Sequence, residues 1–126
     1  MITYRELSLT IRALHRALLN AVAANHAALH GATRSPYELL RLTEEDPLFA
    51  WLRPLTAALA ELDDAADDHE QPERVWQAVD RVQALVDGAD ASFTELYRHH
   101  LHSVPDVAVE HGRVRQALRA LGRRAA

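Results

Sequence analysis

Leu7, Ile11, Leu14, Leu18, Val22 and Leu29 recur at steps of three, four and seven, so they line one face of a helix. Thr3-Tyr4-Arg5-Glu6 has capping-box form, and Gly31 stands where a helix C-terminus would be closed, which predicts a helix over 4–30. Ser35-Pro36-Tyr37-Glu38 opens a shorter helix, expected over 36–43. Asp46-Pro47 opens another, over 47–69, with Leu48, Leu52, Leu55, Leu59, Leu62 and Ala66 as its stripe and Phe49 and Trp51 beside it. Pro54 lies inside that pattern. It either kinks the helix or separates a short turn from a main helix at 54–68.

Pro72 restarts the chain, and Val75, Val79, Val82 and Val86 mark a helix over 72–87, with Trp76 at the stripe's edge. Asp90 or Ser92 caps a helix over 90–103, whose inner face would be Phe93, Leu96, Tyr97, His100, Leu101 and Val104. Pro105 begins the last helix, over 105–121, with Val107, His111, Val114, Leu118 and Leu121 inward. No segment alternates with the period of a strand. Short connections make successive helices antiparallel. The expected fold is all-α, one domain over 1–126, an up-and-down four-helix-bundle-like arrangement with one or two extra short helices. The segment 35–55 would fold over one end.

Charge sharpens this picture. Residues 1–34 carry four Arg and one Glu, whereas 35–71 carry two Arg and ten acidic residues. Residues 72–97 carry two Arg and five acids, and 98–126 carry six Arg and two acids. Basic ends and an acidic middle place the first and last helices beside the middle ones, or beside those of a partner chain. All fourteen basic residues are Arg, which removes Schiff-base and P-loop lysines. A GC-rich coding sequence accounts for that bias. Cysteine is absent, so disulfides and thiolate metal sites are excluded. No apolar run reaches the roughly 20 residues of a membrane span, and residues 1–9 lack a signal peptide's apolar core. The expected location is the cytoplasm.

Candidate chemistry rests on the eight histidines. His26 and His30 are four apart, with His15 three turns earlier near the same line. Glu95, His99 and His102 share another stripe, opposite Phe93, Leu96 and Leu101, so that stripe should face solvent. His100 and His111 fall on the inner faces of consecutive helices. They could satisfy each other, Tyr97 or Glu110. His26, His30, Glu95, His99, His100 and His111 are therefore candidate ligands of a divalent metal, since bundle sites collect imidazoles and carboxylates from several helices. The complete ligand patterns of hemerythrin-like and ferritin-like proteins are missing, and the bland alternative is solvated or mutually satisfied histidines. No cofactor is otherwise expected.

Glu61-x-x-Asp64, within the acidic run 61–70, is similar to one Mg²⁺-holding carboxylate pair of all-helical nucleotide pyrophosphohydrolases, but the second pair those enzymes need is lacking. Acids at a helix C-terminus oppose its dipole and point to an arginine-bearing neighbour. The last helix carries Arg113, Arg115, Arg119, Arg123 and Arg124, as the dipole favours. Overall acidity and the lack of a nucleic-acid-binding motif argue against a nucleic-acid partner. Pro36-Tyr37-Glu38-Leu39-Leu40 and Asp46 to Leu55 resemble a segment of small bacterial all-helical proteins without assigned function, which implies a bacterial cytoplasmic protein and no particular activity. Tyr37, Phe49 and Trp51 in that segment are either the cap of the core or an interface. The function expected is a non-enzymatic interaction or oligomerisation module, a homodimer, with metal binding or metal-dependent catalysis as the alternative.

Overall fold

A computed structural model of the chain describes residues 3–31, 35–67 and 72–121. Six α-helices and one 3₁₀ segment follow in the order α1 (Tyr4–His30), α2 (Pro36–Glu45), the 3₁₀ segment (Pro47–Leu52), α3 (Arg53–Ala66), α4 (Pro72–Asp87), α5 (Ala91–Ser103) and α6 (Pro105–Ala120). No strand occurs among the described residues, so the protein is all-α.

The starts of α1, α2, the 3₁₀ segment and α5 are written by short-range polar contacts, whereas α3 and α6 begin with a proline in the first turn and no side-chain cap. Thr3 Oγ1 accepts from the Glu6 amide at 3.1 Å while Glu6 Oε2 accepts from the Thr3 amide at 2.7 Å, the reciprocal capping box. Ser35, Asp46 and Asp90 each accept from an amide of the following element. Gly31 ends α1 at φ 90°, a conformation that a side chain would strain.

Helices α1, α3, α4 and α6 form the bundle: α1 packs on α3 and α6, and α4 packs on α3 and touches α6. Side-chain pairs show the directions. Ser8 and Arg12, near the start of α1, bond Asp63 near the end of α3, while His15 reaches Thr56. Arg74 and Arg81 of α4 bond Asp64 and Glu61. Both neighbouring pairs are therefore antiparallel. One buried cluster runs through the bundle, with Leu7, Ile11, Leu14, Leu18, Leu55, Leu62, Val82 and Val114 fully buried. α5 packs on α6, α4 and the 3₁₀ segment, and α2 packs on the 3₁₀ segment.

The structure corrects the expected pattern in several places. The stretch 47–66 is two elements, so the Pro54 alternative of a short turn followed by a main helix is the one adopted. Because a 3₁₀ turn takes 3.0 residues, Phe49 and Leu52 fall in line and are buried, while Leu48 turns outward. Leu29 is 69 % exposed, because the last turn of α1 runs past the helices that cover its apolar face. Leu96 is 41 % exposed beside buried Phe93, Tyr97 and His100. Residues 68 and 69, expected at the end of α3, lie outside the described residues.

The charge pattern is resolved within the chain. Arg12–Asp63, Arg74–Asp64, Arg81–Glu61 and Arg115–Asp87 tie the middle helices to one another and to the basic ends. The acids near the end of α3 thus face arginines of α1 and α4. Asp68, Glu70, Arg123 and Arg124 lie outside the described residues.

Candidate functional site

Where the 3₁₀ segment passes between α1 and α5, a pocket of about 470 Å³ opens to the surface. Its walls are Val22 and Asn25 of α1, Pro47, Leu48, Ala50 and Trp51 of the 3₁₀ segment, and Leu96, His99 and His100 of α5. The lining is mostly apolar, and Leu48 and Leu96 keep 37 % and 41 % of their surface exposed. The cap of the 3₁₀ segment positions one wall: Asp46 Oδ1 accepts from the Leu48 amide at 2.9 Å, and Pro47 needs no acceptor there.

His100 is 5 % exposed, and Trp51 stacks on it with ring centroids 5.2 Å apart and planes 25° apart. Its Nδ1 lies 2.8 Å from the Leu96 carbonyl oxygen. A carbonyl only accepts, so Nδ1 carries the proton, and in the neutral ring Nε2 presents a lone pair. That Nε2 is buried and has no hydrogen-bond partner in the protein. His99, on the same wall, is exposed and meets His100 edge-on at 5.4 Å.

The other candidates separate into different places. His26, expected at the edge of the apolar face of α1, is buried at 9 % exposure beneath the 3₁₀ segment. Its Nε2 lies 3.3 Å from Asp46 Oδ2, its ring is 4.8 Å from exposed His30, and its Nδ1 is buried without a partner. The cause is Asp46: the cap that starts the 3₁₀ segment also faces α1. Glu95 and His102 are exposed, as their position opposite Phe93 implies. His15 is half-buried, with Nε2 2.7 Å from Thr56 Oγ1, and burial and then nearby Arg12 lower its pKa.

His111 does not meet His100. Its Nδ1 lies 2.5 Å from the Tyr97 hydroxyl, within hydrogen-bond distance. Burial, and next Arg115, lower the His111 pKa against the opposing pull of Asp87. Burial raises the Tyr97 pKa, with Arg115 opposing. Both groups are held in their uncharged forms, and the pair flanks a more polar cavity of about 400 Å³ that Thr94, Arg98 and Arg115 also line. Among the described residues, no three or more His, Asp or Glu side chains gather as a metal-ligand group.

Of the aromatic candidates, Phe49 is buried core at 1 % exposure, touching His26. Trp51 is half-buried and is the pocket wall. Tyr37 is 74 % exposed on α2. The sequence pattern did not single out Asn25, Leu48 or Leu96 as a rim. The available signal was Phe49 and Leu52 at a spacing of three, which turns Leu48 outward.

No family model, curated protein or solved structure matches the chain. None of the described helices is long and apolar enough to cross a membrane.

Proposed function

We propose that the protein is a non-enzymatic interaction and oligomerisation module whose partner is a second copy of the same chain. The observation that carries this reading is the set of large apolar side chains that α1 and α2 leave uncovered. Leu29, Tyr37 and Leu40 are 69 %, 74 % and 57 % exposed. Leu29 lies near the end of α1, and Tyr37 and Leu40 are one turn apart on α2. An exposed tyrosine flanked by leucines supplies a large rigid contact at little entropic cost, as interface anchors do. A two-fold dimer would bury the same patch from both chains.

The chemistry of the described residues supports binding over catalysis. Tyr97 and His111 are a hydrogen-bonded pair, but their pKa values move away from neutrality, opposite to what a general acid or base needs. Glu61 and Asp64 are each bonded to an arginine of α4.

Sedimentation velocity over a concentration series tests the reading. The wild-type chain is expected to dimerise. Tyr37→Ala combined with Leu40→Glu is expected to be monomeric with unchanged helicity. A wild-type chain that stays monomeric into the millimolar range overturns the proposal.

A further inference from the structure

We infer that the cavity that α5 and α6 form with the end of α4 is a binding site for a small organic monocarboxylate, held by the guanidinium groups of Arg98 and Arg115. None of Leu29, Tyr37 and Leu40 lines it, so the inference goes beyond the proposed dimer and does not need it.

The first observation is where the two cationic heads lie. Arg115 Nη1 is 2.6 Å from Asp87 Oδ1, and Arg98 Nη2 lies 3.8 Å from the point that a β-carbon on Gly88 would occupy. Both heads therefore stand beside consecutive residues at the end of α4, and all four residues line the cavity of about 400 Å³. Both arginines are reachable: Arg98 is exposed, and the Arg115 side chain keeps 41 % of its surface. The dipole at a helix C-terminus attracts cations, which places them there without using up their donors. The second observation is charge. Asp87 pairs with Arg115, but Arg98 has neither a carboxylate nor another hydrogen-bond partner among the described residues. His111 also lines the cavity; burial and then Arg115 lower its pKa, so it is neutral at neutral pH. Two guanidinium charges against one carboxylate leave one surplus positive charge. A monoanion balances it, whereas a dianion would exceed it beside Asp87. The third observation is the rest of the wall. Thr94 and the Tyr97–His111 pair are polar, while Leu85, Val86 and Leu101 add hydrocarbon. The volume lies within the roughly 300–1,000 Å³ of small-molecule sites and far exceeds the roughly 30 Å³ share of one water, so an organic group fits beside the anionic head. The planar guanidinium fork matches a carboxylate in two parallel hydrogen bonds.

The test is titration of the isotope-labelled full-length chain, followed by the histidine and arginine side-chain nuclear resonances. The probes are benzoate, benzyl alcohol, which keeps the ring and lacks the charge, and phthalate, which carries two charges. Benzoate is expected to shift the His111 and Arg98 resonances saturably, with an affinity that falls as salt is added. Benzyl alcohol is expected to bind about tenfold or more weakly, the worth of one charge-assisted hydrogen bond. Phthalate is expected to bind more weakly than benzoate. Arg98→Gln changes an exposed side chain that has no partner, so the variant should fold as wild type does. It should weaken benzoate about tenfold and leave benzyl alcohol as it was. Arg113→Gln makes the same charge change on α6 outside the cavity lining and should leave benzoate binding unchanged. Equal affinity of wild type for benzoate and benzyl alcohol overturns the proposal. So does equal weakening by Arg98→Gln and Arg113→Gln, which would mean attraction to net charge alone. The absence of saturable shifts in the millimolar range also overturns it. Phthalate binding more tightly than benzoate overturns the selection of a single charge.

Discussion

At the residue scale, an imidazole such as His111 is governed by its neighbours. α5 offers it the Tyr97 hydroxyl, α6 the positive charge of Arg115, and α4 the carboxylate of Asp87. Burial comes first among the causes, and with Arg115 it outweighs Asp87, so the pKa falls below its ordinary value of 6.5. As pH drops through 6.5 the unfolded chain takes up a proton that folded His111 still refuses. Stability therefore declines through that range, until the folded ring also protonates. His15, lowered by burial and Arg12, adds in the same direction. Urea unfolding between about pH 7.5 and about pH 5 should show this decline, and His111→Gln should flatten part of it. Stability that rises on acidification in wild type, or a slope untouched by the substitution, would contradict the assignment. Tyr97 works at the other extreme. Its raised pKa stabilises the fold below about pH 10, and that contribution disappears as the unfolded phenol ionises. Tyr97→Phe should cost about 0.5–1.5 kcal/mol at neutral pH, the usual worth of one hydrogen bond.

At the element scale, the 3₁₀ segment is the piece on which the pocket depends. In a continuous α-helix the Pro54 ring would clash with the Ala50 carbonyl, so the chain changes helix type before it. Pro47 and Pro54 then each occupy the first turn of their own element, where a missing amide hydrogen costs nothing. Asp46 fastens the start through the Leu48 amide and also faces His26. Asp46→Ala should therefore lower stability by about 1 kcal/mol for the cap alone, and more if His26 is left facing an empty space. Phe49→Ala should cost about 3–5 kcal/mol as a core deletion. Both are measurable by denaturant unfolding, and a neutral Phe49→Ala would refute the inward placement. Pro54 marked the place but left a kink and a break equally open, while the stripe of 55–66 marked the helix that follows. The inward face of 47–52 was not legible. Periods of 3.0 and 3.6 residues diverge by only about half a residue per turn, too little to resolve over six residues, so Leu48 and Phe49 exchanged roles.

At the scale of the whole molecule, the segregated charge shows which helices are neighbours. The acidic middle and basic ends were readable before any coordinates, and arginine neighbours for the acids of α3 followed from the dipole at that helix end. Whether the partners belong to the same chain was not readable, because that depends on register: Arg12 meets Asp63 only because α1 and α3 run antiparallel with those turns level. The same gap explains the histidines. Spacing along a helix shows which residues share a stripe, but not that α5 would carry His100 to Trp51 and His111 to Tyr97. The Arg12–Asp63 pair is partly exposed, with side-chain exposures of 52 % and 37 %. A double-mutant cycle on it should therefore give a coupling of about 0.2–1 kcal/mol, falling with added salt. A coupling of several kcal/mol would mean that Ser8, which also bonds Asp63, makes the trio a cooperative network.

The two tryptophans sit at distant points of the bundle. Trp76 meets Tyr4 edge-on at 5.9 Å, by the start of α1, whereas Trp51 stacks on His100 beside Val22 and Asn25. Along α1 those places are roughly 27–32 Å apart at 1.5 Å per residue. Each indole therefore emits from its own neighbourhood. Cooperative melting of the whole bundle would change both signals in a single step. A swing of the Pro47–Leu52 turn away from α5 would alter only the emission of Trp51, so the molecule carries a built-in optical reporter that separates local opening from global unfolding.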